Sequence, residues 1–536
     1  MGNLSLLMLI PLLGGLLVAG LPLDYDRYIK KLAVLVAGAA LVFGAAVLLP
    51  AFHPAQAGFQ FEDRFTWFAD LGISYHVGVD GISIWLVLLT TLLSFVAIAF
   101  SWYVDKLPRY FMALILLLEG VMIGAFVSLD LVFFFTFFEA TLIPMWLLVA
   151  FWGGDKRAYA ANKFLIYTFA GSIFLLVGMV ALALRVQTVT HHLTFDIVEI
   201  QAAVANGSLW SGAIQVEGLL FWAFAAAFLV KSPIFPFHTW VPDTYAESPT
   251  AGPILSGAMV KLGSFGFLRF CLPLFPDAAK SQIWILAMLA VIGIVYGAVV
   301  AIVQTDARRL LAYSSISHMG FVLLGIFSLN ATGMVGGAYQ QLNHGVISCL
   351  LFVLVGYLYQ RRGTTALAEF GGLKAQMPTF ATLFLIAILA GLGLPGTNGF
   401  VGEFLTLFGI YNSGYTGSYG MNVGFAVAAA GSVILTAAYM LYMFQQIFYG
   451  EVTNALNRRL KDIKPWESAL GGLLVVFILL GGFYSSIFTK SMEPSVLSTQ
   501  QMVVMPPGQR PTWSTQTALT TTKSALALNT GKDSSK

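Results

Sequence analysis

Seven side chains that carry or can take up a charge stand inside long apolar runs of this chain. Glu119 lies in LLLEGVMIG, Glu139 in FFFTFFEATLIPM, Lys231 in FLVKSPIFPFH, Lys261 in GAMVKLGSFG and Glu403 in GFVGEFLTL. Two histidines join them, His318 in SSISHMGF and His344 in QQLNHGVISC. A charged side chain at the centre of a membrane helix costs on the order of 2.5 to 3.5 kcal/mol on insertion scales, so it persists where it faces protein or water. Carboxylates, amines and imidazoles spread over seven apolar runs are the groups a proton relay needs, because each can gain and lose a proton. The alternative is structural: Glu139 with Lys231, or Lys261 with Glu403, would be ion pairs that brace helices. Ion pairs in apolar surroundings are weak stabilisers compared with well-packed apolar residues, so bracing alone is a poor reason for the whole set.

Two of these charges adjoin interruptions of the helix. Lys231 is followed by SPIFPFH, where Pro233 and Pro236 remove backbone donors, and Glu403 is preceded by LPGTNGFVG, with Pro395, Gly396 and Gly399. Such segments are either mere kinks or, beside an intramembrane charge, places where freed backbone groups line an ion path.

The elements that must hold these residues are membrane helices. Of 536 residues, 58% are apolar and only 10% charged, with mean hydropathy +0.82, against roughly 25% charged in a soluble domain. Apolar runs of about twenty residues, long enough to cross about 30 Å of hydrocarbon as helix, occur approximately at 4–21, 32–50, 80–101, 110–128, 130–151, 163–185, 216–237, 250–273, 281–303, 309–329, 335–358, 379–410, 423–449 and 467–488. The expected fold is therefore an all-α polytopic membrane protein of about fourteen spans, and the strict alternation of a membrane barrel is missing. The first run has no Lys or Arg before it and is expected to remain as a helix rather than act as a signal peptide.

Lys and Arg mark the faces. Loops after odd-numbered spans hold 17 of the 28, including Lys30, Lys31, Lys156, Arg157, Arg308, Arg309, Arg361, Arg362, Arg458 and Arg459. The opposite side holds Arg64, Arg185, Arg269 and Lys280. By the positive-inside rule the odd loops are cytoplasmic and both termini face away from the cytoplasm. A net charge of +3 with no basic stripe gives no reason to expect nucleic acid as a partner; the bilayer and other membrane chains are the expected ones. Cys271 and Cys349 have no metal or disulfide spacing and read as small buried residues, and His191 with His192 lacks a third ligand nearby. The loop from about 186 to 215 has room for a short surface helix. Residues 491–536, rich in Ser and Thr with Pro506, Pro507 and Pro511, are expected to be a polar, disordered tail.

The segments FFEATLIPMWLL, VKSPIFPFHTWVPDTYAESPTAG, VKLGSFGFLRF, QTDARRLLAYSSISHMGFVLLG and LPGTNGFVGEF resemble the antiporter-like subunits of respiratory complex I, the bacterial NADH-quinone oxidoreductase, from about residue 60 to 485. Within that family they resemble the M type, also called chain 4, because Glu403 stands where related subunits have a lysine. The family is itself related to subunits of multi-subunit sodium/proton antiporters. The resemblance implies helices 1–3 in residues 1–109, two five-helix repeats of inverted topology in 110–273 and 274–449 with helices 7 and 12 broken, and helix 14 in 450–490. It further implies that Glu139 pairs with the broken-helix Lys231, that Lys261 is the central connecting lysine, that Glu403 ends the channel, and that His318 and His344 lie on the same axis; Glu119 is an additional candidate. On this reading protons move through the chain while electrons pass from NADH to quinone elsewhere in the complex. FMN, iron-sulfur clusters and quinone would belong to the parent complex and none to this chain, which shows no dinucleotide fingerprint and no cluster-binding cysteines. The implied partners are neighbouring membrane-arm subunits, and the implied location is a bacterial inner membrane or, in a photosynthetic relative, a thylakoid. The rival readings are a subunit of a sodium/proton antiporter, the membrane arm of an energy-converting hydrogenase, and a purely structural membrane subunit.

Overall fold

A computed structural model describes residues 2–22, 26–452 and 454–513. Among the described residues, thirteen helices are long and apolar enough to cross a membrane. In order they are Asn3–Gly20, Tyr28–Ala51, Ser83–Tyr103, Pro108–Val127, Leu131–Trp152, Arg157–Thr190, Ile214–Lys231, Ala251–Leu274, Pro276–Ile302, Ala307–Phe327, Ala331–Arg362, Ser418–Phe448 and Pro465–Phe483. Numbered as spans, these are 1 to 11, 13 and 14. Span 12 is made of two shorter helices, Pro378–Gly391 and Asn398–Tyr415, so the described residues form fourteen spans of a multi-pass membrane protein. Local chemistry starts them: Pro occupies the first turn of the helices at Pro108, Pro276, Pro378 and Pro465. Asp130, Asp306 and Asn330 cap spans 5, 10 and 11 by accepting hydrogen bonds from first-turn amides.

Each odd-numbered loop is bonded to the next across one face. Lys30 meets Asp105 at 2.8 Å, Lys106 donates to the Phe151 carbonyl, and the Lys156 amide donates to Glu247. Arg308 donates to the Ala246 and Ser248 carbonyls, Thr365 to Asp306, and Arg361 pairs with Glu467. The opposite face carries an antiparallel hairpin, β1 (Gln60–Phe68) and β2 (Ile73–Val79), together with the helix Ile197–Ala205 in the loop between spans 6 and 7. The Gly2 amide donates to Asp63 of the hairpin, placing the chain's start on this face.

Spans 7 and 12 are both interrupted, five spans apart. With four spans between them they enter from opposite faces, which is the relation expected of two units of inverted topology. Both runs, 216–237 and 379–410, carry the interruption expected of them. Span 7 stops at Lys231 and resumes as Trp240–Glu247. Here Pro233 and Pro236 lack the N–H groups a helix would use, and the Val230 carbonyl is met by the Trp240 indole at 3.0 Å. Span 12 opens over Leu392–Thr397, where Gly393 and Gly396 take φ of +70° and +95°, a region that favours glycine.

The expected disordered tail is corrected over its first part. Ser486–Val504 is a helix, and the chain remains described to Trp513; residues 514–536 lie outside the described residues. Phe488, Met492, Val496, Met502 and Val503 are buried. Trp85 donates to Ser491, the Gly81 amide donates to Ser495, and Arg510 pairs with Asp277 at 2.8 Å. The serines that made this segment read as disordered fill small gaps against the body of the protein. Nearby, Arg269 is buried in a π-helical turn of span 8 and pairs with Asp80 at 2.6 Å, its guanidinium stacked over Phe59 and Trp513.

An imidazole adds to the fastening that the hairpin's Arg64 makes with Asp196 and Glu199. His76 bridges Asp196 through Nδ1 at 2.8 Å and Glu62 through Nε2 at 2.9 Å. Burial works against its charge, but the hydrogen bonds and charges of Asp196 and Glu62 outweigh burial and raise it to about 9 from 6.5. This fastening is therefore complete below pH 6.5 and is lost as pH rises through about 9. Hydrogen exchange of the hairpin amides, corrected for intrinsic rate, is expected to lose protection between about pH 8 and 10, and a His76→Gln variant to show no such transition.

Candidate functional site

Lys231 and Glu403 lie beside helix breaks, whereas Glu119, His318 and His344 sit inside continuous helices. Leu131–Ala140 and Leu142–Trp152 of span 5 meet at Thr141, two residues after Glu139. Lys231 ends the first half of span 7, and Lys261 lies within span 8 directly after Val260, which keeps helical backbone angles and donates to the Ser256 carbonyl at 3.1 Å. Span 8 can sit against the break in span 7 because position 263 is glycine; a Cβ there would run into Ser232 and lie 2.6 Å from the Phe228 carbonyl oxygen.

Lys231 is 1% exposed and donates to the Thr141 hydroxyl at 2.8 Å, with the Phe138 ring 4.6 Å from its ammonium. It does not contact Glu139, so the expected Glu139 and Lys231 ion pair is replaced by a lysine held on a neutral hydroxyl. The Oε1 of Glu139 has no hydrogen-bond partner, and the nearby Ser172 hydroxyl of span 6 donates to the Thr168 carbonyl at 3.0 Å. The second bracing pair is absent too. Lys261, fully buried, meets His344 Nδ1 at 2.5 Å, while Glu403 meets His318 Nδ1 at 3.0 Å.

The two halves of that second set join. The rings of His344 and His318 lie 5.9 Å apart, so Lys261, His344, His318 and Glu403 form one buried polar row from span 8 through spans 11 and 10 to span 12. Beside the two rings a cavity of about 20 Å³, lined also by Ser314, Ser315 and Ser348, has the volume of one water. Gln340 donates to Glu403 at 3.4 Å, and Asn343 donates to Gln340 and to the Asn398 carbonyl beyond the break in span 12. Gly393 lets the chain turn past Glu403, since a Cβ there would stand 2.9 Å from Oε2. Glu119 is not drawn into the row: it is fully buried on span 4, and neither carboxyl oxygen has a hydrogen-bond partner.

Sequence reasoning missed Thr141, Gln340, Gln341 and Asn343. Gln340, Gln341 and Asn343 were readable, because three amides precede His344 within four residues of an apolar run; Gln341 accepts from Ser264, one turn beyond Lys261. Thr141 was also within sight, two residues past Glu139. Its role is set by a partner 90 residues away, which no local pattern encodes.

The family described as NADH:quinone oxidoreductase/Mrp antiporter, TM, matches residues 128–429, a stretch that holds Glu139, Lys231, Lys261, His318, His344 and Glu403. The chain belongs to this family. It is 42% identical over 474 residues to NADH-quinone oxidoreductase subunit M of Rhodobacter capsulatus, covering 88% of this chain and 90% of that one. Among solved structures it resembles a chain of respiratory complex I from Thermus thermophilus with bound NADH, at TM-score 0.81 and 32% identity over 93% of this chain and 99% of that one. A chain of the Mrp complex from Dietzia shares the fold, at TM-score 0.79 and 21% identity over 93% and 99% of the two chains.

Removing the hydroxyl that holds Lys231 leaves a buried amine one partner short, at a cost of about 1–3 kcal/mol. Thr141→Val is expected to lower thermal stability in detergent by that amount, and Thr141→Ser to restore it.

Proposed function

We propose that this chain is the proton-translocating membrane subunit of an NADH-quinone oxidoreductase. Its family, and its similarity to subunit M over nearly the whole length of both chains, support the assignment. The observation that carries the mechanism is the buried row Lys261, His344, His318 and Glu403, four groups that can each take up and release a proton, with Lys261 against His344, His318 against Glu403, and the two rings 5.9 Å apart.

Lys231 and Glu139 form the input end. Because Lys231 rests on neutral Thr141, a small displacement of Glu139 toward or away from it changes the electrostatic hold on its proton. A proton released from Lys231 passes to Lys261 and then through His344 and His318 to Glu403. Hydrogen-bonded water bridges such gaps, so Lys231 and Lys261 need not touch. Glu119, buried and without a partner, is a further proton-accepting group of span 4.

The energy for displacement comes from the rest of the complex. FMN, iron-sulfur clusters and quinone belong to other subunits, and this chain has no redox centre of its own. Its partners are the antiporter-like neighbours of the membrane arm and the bilayer. The face that carries the bonded odd-numbered loops is cytoplasmic and both termini are on the other side, in a bacterial inner membrane; a thylakoid is the alternative. Similarity to the Mrp chain rests on fold alone, so the antiporter reading remains an outcome of the test.

In the complex assembled in native membranes, Lys231→Ala is expected to cut proton translocation by about tenfold or more with subunit content unchanged on native gels. Translocation at the parental level would remove Lys231 from the path. Sodium-dependent exchange without quinone reduction by the parental assembly would replace the oxidoreductase reading with the antiporter.

A further inference from the structure

The second half of span 7, Trp240–Glu247, stands between two stretches of non-helical chain that contain proline. Pro233 and Pro236 lie before it and Pro249 after it. Short links of this kind absorb backbone rotation and leave the helix between them a separate body. Its C-terminal end borders a cavity of about 450 Å³ at the face of the odd-numbered loops, with Ala246, Glu247, Ser248 and Gly154 in the wall. The short helix therefore has links that can bend and room on one side.

Two cations of span 10 and one of span 6 hold it. Arg309 pairs with Asp243 at 3.1 Å, and Lys163 of span 6 reaches the other oxygen of Asp243 at 2.8 Å. Arg308, 7% exposed, donates to the Ala246 and Ser248 carbonyls at 3.3 Å and to the Thr250 hydroxyl at 3.2 Å. Its guanidinium lies 4.2 Å from the centre of the Tyr359 ring, and among the described residues it has no carboxylate partner. Its charge is answered instead by the carbonyl end of the short helix, which carries partial negative charge. Such a hold depends on where the end of the helix stands.

The short helix reaches Lys231 at its other end. Trp240, its first residue, donates to the carbonyl of Val230, the residue before Lys231. Span 10 carries His318 nine residues beyond Arg309, about 14 Å along the helix. Lys231 and His318 are thus linked along the odd-loop side through one small helix.

We infer that Arg308 and Arg309 are positioning residues that fasten this half-helix to span 10, a mechanical joint between the break at Lys231 and the span that carries His318. A shift of the half-helix moves the Val230 carbonyl beside Lys231 and is passed to span 10 through the two arginines. The joint stands on these contacts alone; its consequence for proton transfer rests on the function proposed above.

The test compares Arg309→Gln, Asp243→Asn and Arg309→Lys in the assembled complex. Lys30→Gln, which removes the Lys30 and Asp105 pair of the same face away from the half-helix, is the control. Hydrogen exchange read by mass spectrometry is expected to show Trp240–Glu247 about tenfold less protected in Arg309→Gln and Asp243→Asn, the worth of one hydrogen bond to a charged group. Arg309→Lys and Lys30→Gln are expected to keep parental protection. In membrane vesicles, protons moved per NADH oxidised are expected to fall about threefold in the first two variants, with subunit content unchanged, and to stay at the parental level in the other two. Parental protection of Trp240–Glu247 in Arg309→Gln and Asp243→Asn overturns the joint, as does an equal loss in Lys30→Gln. Lost protection with parental translocation overturns the positioning role. A parental complex that moves no protons fails the proposed function instead, and exchange alone then decides the joint.

Discussion

A charge inside hydrocarbon has to be answered by the protein, and this constraint organises the molecule. Span 8 holds Lys261 and Arg269, eight residues apart and both buried. They are answered in different ways. Arg269 lies near the hairpin face against a carboxylate, Asp80, at 2.6 Å, and so is a fixed charge that binds span 8 to the start of span 3. Lys261 has no carboxylate beside it and leans on an imidazole at 2.5 Å. Breaking the first removes a buried ion pair, which typically costs about 3–5 kcal/mol. The second joins two groups that can each carry or pass a proton. Partner chemistry therefore separates the charges that hold the fold from those that work.

The interrupted helices follow from the same constraint. An unbroken helix consumes its own backbone groups and leaves side chains alone to receive a midplane charge. Breaks after Lys231 and before Asn398 place turn geometry inside membrane spans, where it is tolerated only when buried in protein. Glycine makes this packing close: Gly263 admits span 8 to the break in span 7, and Gly393 bends span 12 around Glu403.

The positions of the buried charges could be read in the sequence because an ion in an apolar run is costly enough to stand out. The grouping of loops on two faces could be read for a similar reason, since Lys and Arg recur in six of the seven loops after odd-numbered spans, and those loops are bonded to each other in the structure. What could not be read was the pairing. Opposite charges suggested Glu139 with Lys231 and Lys261 with Glu403, but in both cases the side chain meets a closer neutral or titratable group, Thr141 or a histidine. Such partners are chosen by helix packing across 80 or more residues. The helix Ser486–Val504 was hidden for another reason: its apolar residues are interleaved with Ser and Thr, and its stability comes from the surface it covers rather than from its own composition.

The central claim is that His344 connects Lys261 to Glu403, and infrared difference spectroscopy of the complex during NADH oxidation tests it most directly. A carboxyl stretching band that is absent in Glu403→Gln identifies the Glu403 proton. In the otherwise unchanged complex this band is expected to appear with turnover and to vanish in His344→Leu. A Glu403 band of the same size and timing in His344→Leu would contradict the connection.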